Sequence, residues 1–295
     1  MPVPRSGSVT SPVDGLSVVT WTWDDVGSAP LGVVQLVHGL AEHGRRYGRL
    51  AAALNAAGFL VTAADNRGHG DSVSDEVPLG GFGPAGVAGF VGDIAAAGEQ
   101  LAQEHPGLPL FLVAHSLGSM GAQSVLLDHS ASYAGAVLSG STTLDGLLGV
   151  LQGLPADQPG LAAFNAGFDP RTGFEWLSRD TAEVDAYVAD PLCGFPTEDA
   201  IMAGILGTAV RTADPVQLAG IRHDLPLLVI SGDRDPVGGP GGANVVTLVE
   251  RYREAGLSDV TLRLYPEARH EVVNETNRDE VTADVVAWLT AHLPR

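Results

Sequence analysis

The sequence predicts an α/β domain, a mostly parallel central sheet flanked by helices with a helical insertion near its middle. Three observations carry this. Short runs such as Gly32 to Val37, Leu110 to Ala114 and Ala134 to Leu138 are continuously apolar, as strands buried on both faces are. Each is followed, after a short connection, by apolar residues at helical spacing, the alternation that builds a parallel sheet covered on both sides. That alternation stops at Ser141 and resumes at Leu227, so about 80 residues read as helical pieces inserted into one sheet-forming domain.

In chain order, Leu16 to Trp23 partly alternates apolar and polar residues, as an antiparallel edge strand does. After the strand Gly32 to Val37 comes the loop His38-Gly-Leu-Ala-Glu-His-Gly44, then a helix from Arg46 to Ala57 with Gly58 as its natural stop. Phe59 to Ala64 reads as a strand ending in Asp65-Asn-Arg-Gly-His-Gly-Asp-Ser72. Val87 to His105 follows as a helix, Leu110 to Ala114 as a strand, Ser116 to Leu127 as a helix and Ala134 to Leu138 as a strand. From Ser141 to Ile221 the helical pieces are interrupted by Pro155, Pro159, Pro170, Pro191 and Pro196, after an apolar start over Leu144 to Leu154. The sheet pattern then returns as strand Leu227 to Ile230, helix Ala243 to Ala255, strand Val260 to Tyr265 and helix Asp279 to His292. The chain therefore divides into a core, 1–140 with 222–295, and an insertion, 141–221. An insertion leaving the end of a strand emerges at the edge of the sheet where open parallel sheets bind ligands.

Composition bounds the function. With 295 residues and 45% hydrophobic content the chain buries a sizeable core, and its 38 glycines and 19 prolines, scattered among apolar segments, read as turns. Its 16 basic and 35 acidic residues give a formal charge of −19, which repels nucleic acid and anionic membrane surfaces. There is no lysine, hence no Walker A loop. Cys193 is the only cysteine, so no internal disulfide forms, and it reads as a buried structural thiol. No signal-type apolar segment and no run of membrane-spanning length is found, which points to a soluble, cytoplasmic protein.

The chemistry centres on Leu110-Phe-Leu-Val-Ala-His-Ser116-Leu-Gly-Ser-Met-Gly121, an apolar strand that turns sharply through a serine into a helix of small residues. A nucleophilic serine at such a turn needs small residues two before and two after it, here Ala114 and Gly118. The alternative is that Ser116 only caps the helix. A serine hydroxyl needs a base, and the base needs a group to orient it. His270, in Tyr265-Pro-Glu-Ala-Arg-His-Glu271 after a strand and before the last helix, fits the base best among the nine histidines. The carboxylate comes from Gly232-Asp-Arg-Asp235, where spacing leaves Asp233 and Asp235 both open. Serine, aspartate, histidine is the chain order of the α/β-hydrolase triad. An oxyanion hole in that architecture takes the N–H of the residue after the nucleophile, Leu117, and one from the loop after an earlier strand, Leu40. His38 reads as structural.

With these residues in place, the chain resembles the monoacylglycerol lipase and lysophospholipase-like branch of the serine α/β-hydrolases. The similarity rests on His38-Gly-Leu-Ala-Glu-His-Gly-Arg-Arg-Tyr47, Asp65 to Ser72, Ala114-His-Ser-Leu-Gly118, Gly232 to Asp235 and Pro266-Glu-Ala-Arg-His-Glu271, with Phe174 to Asp180 and Asp190 to Phe195 in the insertion. The resemblance implies the α/β-hydrolase fold with a helical cap inserted after the sixth strand, selects Asp235 as the acid and assigns the oxyanion donors to Leu40 and Leu117. Ala114 in place of a glycine, and Ser119 in place of a second one after the serine, depart from the pattern.

Other signals are discounted. Gly81-Phe-Gly-Pro-Ala-Gly86 has the letters of a dinucleotide fingerprint without a preceding strand, and Gly238 to Gly242 reads as a flexible loop. Arg67 and His69 read as structural loop residues. No metal-ligand spacing is present, so neither metal nor cofactor is expected. The reading is a serine carboxylester hydrolase acting through an acyl-enzyme on a small-molecule monoester with an apolar acyl part, such as a monoacylglycerol or a lysophospholipid. Its rivals are a carboxylesterase for small or aromatic monoesters, a peptidase of the same branch, and a non-catalytic binding protein on this fold. Neither a nucleic-acid partner nor stable membrane insertion is expected, and the sequence sets no oligomeric state.

Overall fold

The computed structural model describes residues 3–155 and 160–294. One eight-stranded sheet runs β1 (Arg5–Thr10), β2 (Ser17–Trp23), β4 (Phe59–Ala64), β3 (Gly32–Val37), β5 (Leu110–His115), β6 (Gly135–Ser139), β7 (Leu227–Gly232) and β8 (Val260–Tyr265) from edge to edge. β1 and β2 pair antiparallel, as do β2 and β4, and all pairs from β4 to β8 are parallel. This mostly parallel sheet with helices on both faces is the α/β-hydrolase fold.

The continuous apolar runs have a simple cause. Along β5, Leu110, Leu112 and Ala114 enter one hydrophobic cluster, while Phe111 and Val113 enter another on the opposite face. A residue facing either way is buried, so the strand has no polar side. On the first face Phe90 and Ile94 of α2 (Gly86–Glu104), and Met120 and Val125 of α3 (Leu117–His129), pack against the sheet. On the second, Leu50 and Leu54 of α1 (Gly48–Ala56) meet Val285 and Leu289 of α10 (Arg278–Ala291). Each such fully buried side chain contributes about 1.5–3 kcal/mol.

β1 is absent from the sequence reading. Arg5 to Ser8 and Thr10 are exposed and only Val9 is buried, so the strand carries no hydrophobic period and is held by its backbone ladder to β2. With β1 counted, the insertion follows the sixth strand. It holds α4 (Leu144–Gln152), a 3₁₀ stretch (Gly160–Gly167), a 3₁₀ turn (Glu175–Leu177), α5 (Thr181–Ala189), α6 (Asp199–Gly207) and two single turns, α7 (Ala209–Thr212) and α8 (Pro215–Leu218). Pro155, Pro170, Pro191 and Pro196 lie between these pieces, as expected, and Pro159 lies outside the described residues. Leu144, Leu147, Phe164, Trp176 and Ile205 join the first hydrophobic cluster, so the insertion is packed onto the core. α9 (Ala243–Glu254) completes the chain between β7 and β8. Among the described residues no helix is long and apolar enough to cross a membrane.

Because β3 through β8 are parallel, the loops after Val37, Ala64, His115, Ser139, Gly232 and Tyr265 all leave the same edge of the sheet. Residues far apart in sequence are brought together there.

Candidate active site

Ser116 sits between β5 and α3 at φ 51°, ψ −122°, a conformation that non-glycine residues rarely adopt. The turn is held by the Ser116 N–H donating to the Ser139 carbonyl at 2.9 Å and the Met120 N–H donating to the Ser116 carbonyl at 3.0 Å. A Cβ on Gly118 would stand 2.5 Å from the carbonyl oxygens of both Val37 and His38, so α3 starts in direct backbone contact with the end of β3. The position two before the serine is less demanding: the Ala114 methyl is buried in the first hydrophobic cluster. Ser119 donates its hydroxyl to the Ser116 carbonyl at 2.6 Å, which accounts for its polarity in a buried place. Ser116 occupies the N-cap position of α3, but its side chain makes no capping hydrogen bond.

Its Oγ lies 2.8 Å from His270 Nε2, and His270 Nδ1 lies 2.9 Å from Asp235 Oδ2. Asp235 is further fixed by the Ser231 hydroxyl on Oδ2 at 3.2 Å and the Val237 N–H on Oδ1 at 2.9 Å. Burial pushes the His270 pKa down, but the charge and hydrogen bond of Asp235 more than offset it, and the ring titrates above its ordinary value. Asp233, left open by spacing, turns elsewhere: its Oδ1 accepts the Glu267 N–H at 2.7 Å. Gly140 lets the backbone approach the ring, since a Cβ there would stand 3.0 Å from His270 Cε1.

The loop after β3 lies directly over the serine, a Cβ on Gly39 falling 3.0 Å from Ser116 Cβ. His38 Nε2 accepts the Asn66 N–H at 2.8 Å, so its Nδ1 carries the proton and donates to the Gly39 carbonyl at 2.8 Å. Burial lowers the His38 pKa, keeping it neutral in this structural role. Gly39 N–H donates to Glu42 Oε1 at 2.6 Å. Among the described residues the N–H groups of Leu40 and Leu117 have no hydrogen-bond acceptor, and Leu117 N–H opens α3, where the helix end favours negative charge.

Beneath this loop is a buried ion cluster that the sequence reading missed. Arg46 Nη1 donates to Glu42 Oε2 at 2.6 Å and to Glu271 Oε1 at 2.7 Å, and Nη2 to Glu271 Oε2 at 2.8 Å. Burial alone would raise both carboxyls. The Arg46 charge outweighs it, bringing Glu42 down to about 2 and Glu271 below its ordinary value. Nothing in the spacing marked it, since Glu42 lies in the loop outside any helix, where a four-residue separation from Arg46 does not bring side chains together by itself.

His115, beside the serine, has its ring centroid 4.7 Å from that of His270. Burial first, then His270, lowers its pKa to about 4, so it stays neutral. From the insertion Trp176 lies 4.8 Å from His270, its carbonyl accepting the His270 N–H at 3.2 Å. A cavity of at most about 270 Å³ is lined by Leu40, Glu42, Ser116 and His270 from the core and by Leu161, Trp176, Leu177 and Tyr187 from the insertion.

The discounted residues lie outside this cavity. Arg67, wholly buried, bonds Asp93, Asp14, Ser11 and the Phe82 carbonyl, and His69, its pKa lowered to about 3 mainly by burial, donates its Nδ1–H to the Arg67 carbonyl within the same loop. Gly81 to Gly86 is a turn region with no strand before it. His43, Asp190 and Cys193 bring three potential metal donors within 4.8 Å of one another. There His43 Nε2 is hydrogen-bonded to Asp190 at 3.0 Å, and burial pushes the Cys193 thiol up and keeps it protonated.

Residues 28–277 match the protein family described as serine aminopeptidase, S33. The monoacylglycerol lipase of Mycolicibacterium smegmatis is 33% identical over 297 residues, covering 98% of this chain and 98% of its own. The human monoglyceride lipase is 28% identical over 275 residues, 92% of this chain and 85% of its own. Among solved structures, a thermostable carboxyl esterase from Bacillus coagulans superposes with a TM-score of 0.83 at 26% identity, covering 100% of both chains. The monoacylglycerol lipase of Paleococcus ferrophilus gives 0.70 at 25% identity, covering 93% of this chain and 99% of that one.

Proposed function

The chain belongs to the serine aminopeptidase S33 family and is a carboxylester hydrolase of the monoacylglycerol lipase and esterase type; from that premise we propose that it cleaves a monoester with an apolar acyl part through an acyl-enzyme on Ser116. The observation that carries this is His270, hydrogen-bonded through Nε2 to Ser116 Oγ and through Nδ1 to the buried Asp235. Ser116 Oγ attacks the ester carbonyl as its proton passes to His270 Nε2, and Asp235 orients the ring and stabilises the imidazolium. The carbonyl oxygen becomes an oxyanion held by the Leu40 and Leu117 N–H groups. Collapse breaks the bond to the alkoxide, which takes the proton from His270 and leaves as the alcohol. Water, deprotonated by His270, attacks the acyl-enzyme, and collapse breaks the Ser116 Oγ–acyl bond, releasing the acid as His270 returns the proton to Ser116 Oγ.

Segment 141–221 acts as a cap over this site, with Leu161, Trp176 and Leu177 forming the wall against the acyl group. A volume of at most about 270 Å³ is small for a ligand pocket. Any acyl group therefore needs the Leu161 side of this wall to give way, and a short one needs less of it than a long one, which favours a second reading, an esterase for short monoesters. A peptidase recognising a free amine needs an unpaired carboxylate, and the two that line the cavity, Glu42 and Glu271, are both hydrogen-bonded to Arg46.

Hydrolysis of an ester series varying acyl length and alcohol together separates these readings. A kcat/KM optimum on long-chain monoacylglycerols is expected for the leading reading. An optimum on acetyl or butyryl esters selects the second, and faster cleavage of aminoacyl amides than of matched esters overturns both.

A further inference from the structure

We propose that the Tyr187–Gly194 stretch of the insertion is a clamp on the loop that presents the Leu40 N–H, so that the insertion contributes to the rate and not only to the cover. The proposal rests on the reading of Leu40 as an oxyanion donor.

Two peptide units set this loop, one on each side of the Leu40–Ala41 link. The first, Gly39–Leu40, contains the donor N–H itself. Its carbonyl accepts from His38 Nδ1, and Gly39 N–H is tied to Glu42. Because the peptide is planar and trans, holding that carbonyl on one side directs the Leu40 N–H to the other. The core supplies all of these contacts. The second unit, Ala41–Glu42, is held from the insertion: the Ala41 carbonyl accepts the Tyr187 hydroxyl at 2.9 Å and the Gly194 N–H at 2.9 Å.

Ala41 is a non-glycine residue at φ 54°, a backbone state that persists only where the surroundings over-determine it. The two donors on its carbonyl are the surroundings. If they are lost, Ala41 relaxes toward negative φ and the Leu40–Ala41 unit turns with it; Leu40 takes up the change in its own φ and ψ, which works against the His38 hold on the Gly39 carbonyl and shifts the Leu40 N–H from the oxyanion. Two further contacts fasten the same pieces. His43 Nε2 pairs with Asp190 at 3.0 Å, and the Arg46 guanidinium lies 4.8 Å from the Tyr187 ring centroid. The Tyr187 side chain is 2% exposed, so its hydroxyl has no access to bulk water as a substitute partner. Arg46 also ties Glu42 to Glu271, next to His270, so one cluster registers the loop against the base.

Tyr187 and Asp190 are thus positioning residues. The test measures kcat, KM and inhibition by an acyl trifluoromethyl ketone, whose tetrahedral adduct places an oxyanion at the donors, in Tyr187→Phe and Asp190→Ala, with activities normalised by active-site titration. In Tyr187→Phe the expected result is a kcat lower by about tenfold to a hundredfold, below the loss from deleting a donor outright. KM stays within about twofold, and the ketone weakens by the same factor as kcat/KM. Asp190→Ala moves the same quantities in the same direction, and it carries the test should the tyrosine variant fail to fold. Unchanged kcat and ketone affinity, or a rise in KM alone, overturns the clamp. Ser116→Ala run in parallel separates the two readings: if it is inactive while the clamp variants match the parent, the clamp alone falls; if it retains the parent rate, both fall.

Discussion

His270 Nε2 lies 2.8 Å from Ser116 Oγ across 154 residues of sequence. The distance follows from the sheet. Ser116 leaves β5 and His270 follows β8, and the parallel order β5-β6-β7-β8 puts both loops at one edge. Gly140, at the end of β6, is bare of side chain where the His270 ring passes. The ring is then trapped between Asp235, His115 and Trp176, so its orientation is set before any substrate binds.

The pH profile reads this environment. His270 must be neutral to accept a proton, and Asp235 holds its pKa above the ordinary 6.5. The acid limb of kcat/KM is expected to rise with a midpoint above that value. Asp235→Asn removes the largest influence opposing burial, leaving only the weaker pull of Glu271 and Glu42, and lowers both the midpoint and the rate, the latter by about 10³–10⁴-fold. Asp233→Asn keeps the acceptor for Glu267 N–H and stays near the parent rate. The raised pKa also links to stability: the His270–Asp235 contribution is fully present below pH 6.5 and is lost as pH rises through the folded-state value.

Arg46→Met leaves Glu42 and Glu271 buried side by side without their cation. The expected cost at neutral pH is about 3–5 kcal/mol, read as a lower Tm or denaturant midpoint. Both carboxyls titrate below their ordinary value of 4.5 when Arg46 is present, so their contribution is intact above that pH and is lost as pH falls toward about 2. The stability gap between parent and variant therefore narrows as pH falls, first above pH 4.5, where the variant's carboxyls, raised by burial without Arg46, protonate, and further below it, where the parent loses its own contribution. A constant gap from pH 7 to pH 3 contradicts this assignment.

The two small residues flanking the serine are expected to respond unequally. Gly118→Ala drives a methyl against the Val37 and His38 carbonyls, at 2.5 Å in the parent backbone, and should cost about 1–3 kcal/mol with a large loss of rate. Ala114→Gly removes a packed methyl and frees the backbone, costing about 1 kcal/mol in stability with kcat changed by less than a few fold. Equal effects from the two would mean that the turn is no tighter after the serine than before it.

Strand and helix alternation was legible because both faces of β3, β5, β6 and β7 are covered, which leaves uninterrupted apolar runs in the sequence. β1 was not legible, since an exposed edge strand is specified by backbone pairing that small polar residues satisfy as well as any. Ser116, His270 and both aspartates were singled out by their places after strands. Spacing could not choose between Asp233 and Asp235, because the choice depends on which side chain turns inward, and that is a property of the β7 loop packed on Ala268: a Cβ on Gly232 would fall 2.0 Å from the Ala268 carbonyl. The contacts of Ala41 with Tyr187 and Gly194 left no trace in the pattern, as an alanine at positive φ has no sequence signature.

The most direct test of the central claim is intact-protein and peptide mass spectrometry after reaction with a fluorophosphonate, alongside ester turnover of the parent and Ser116→Ala proteins. The account predicts one adduct, on Ser116, with turnover lost in proportion to labelling and absent in the variant. Labelling at another residue, or ester hydrolysis by Ser116→Ala at the parent rate, would contradict it.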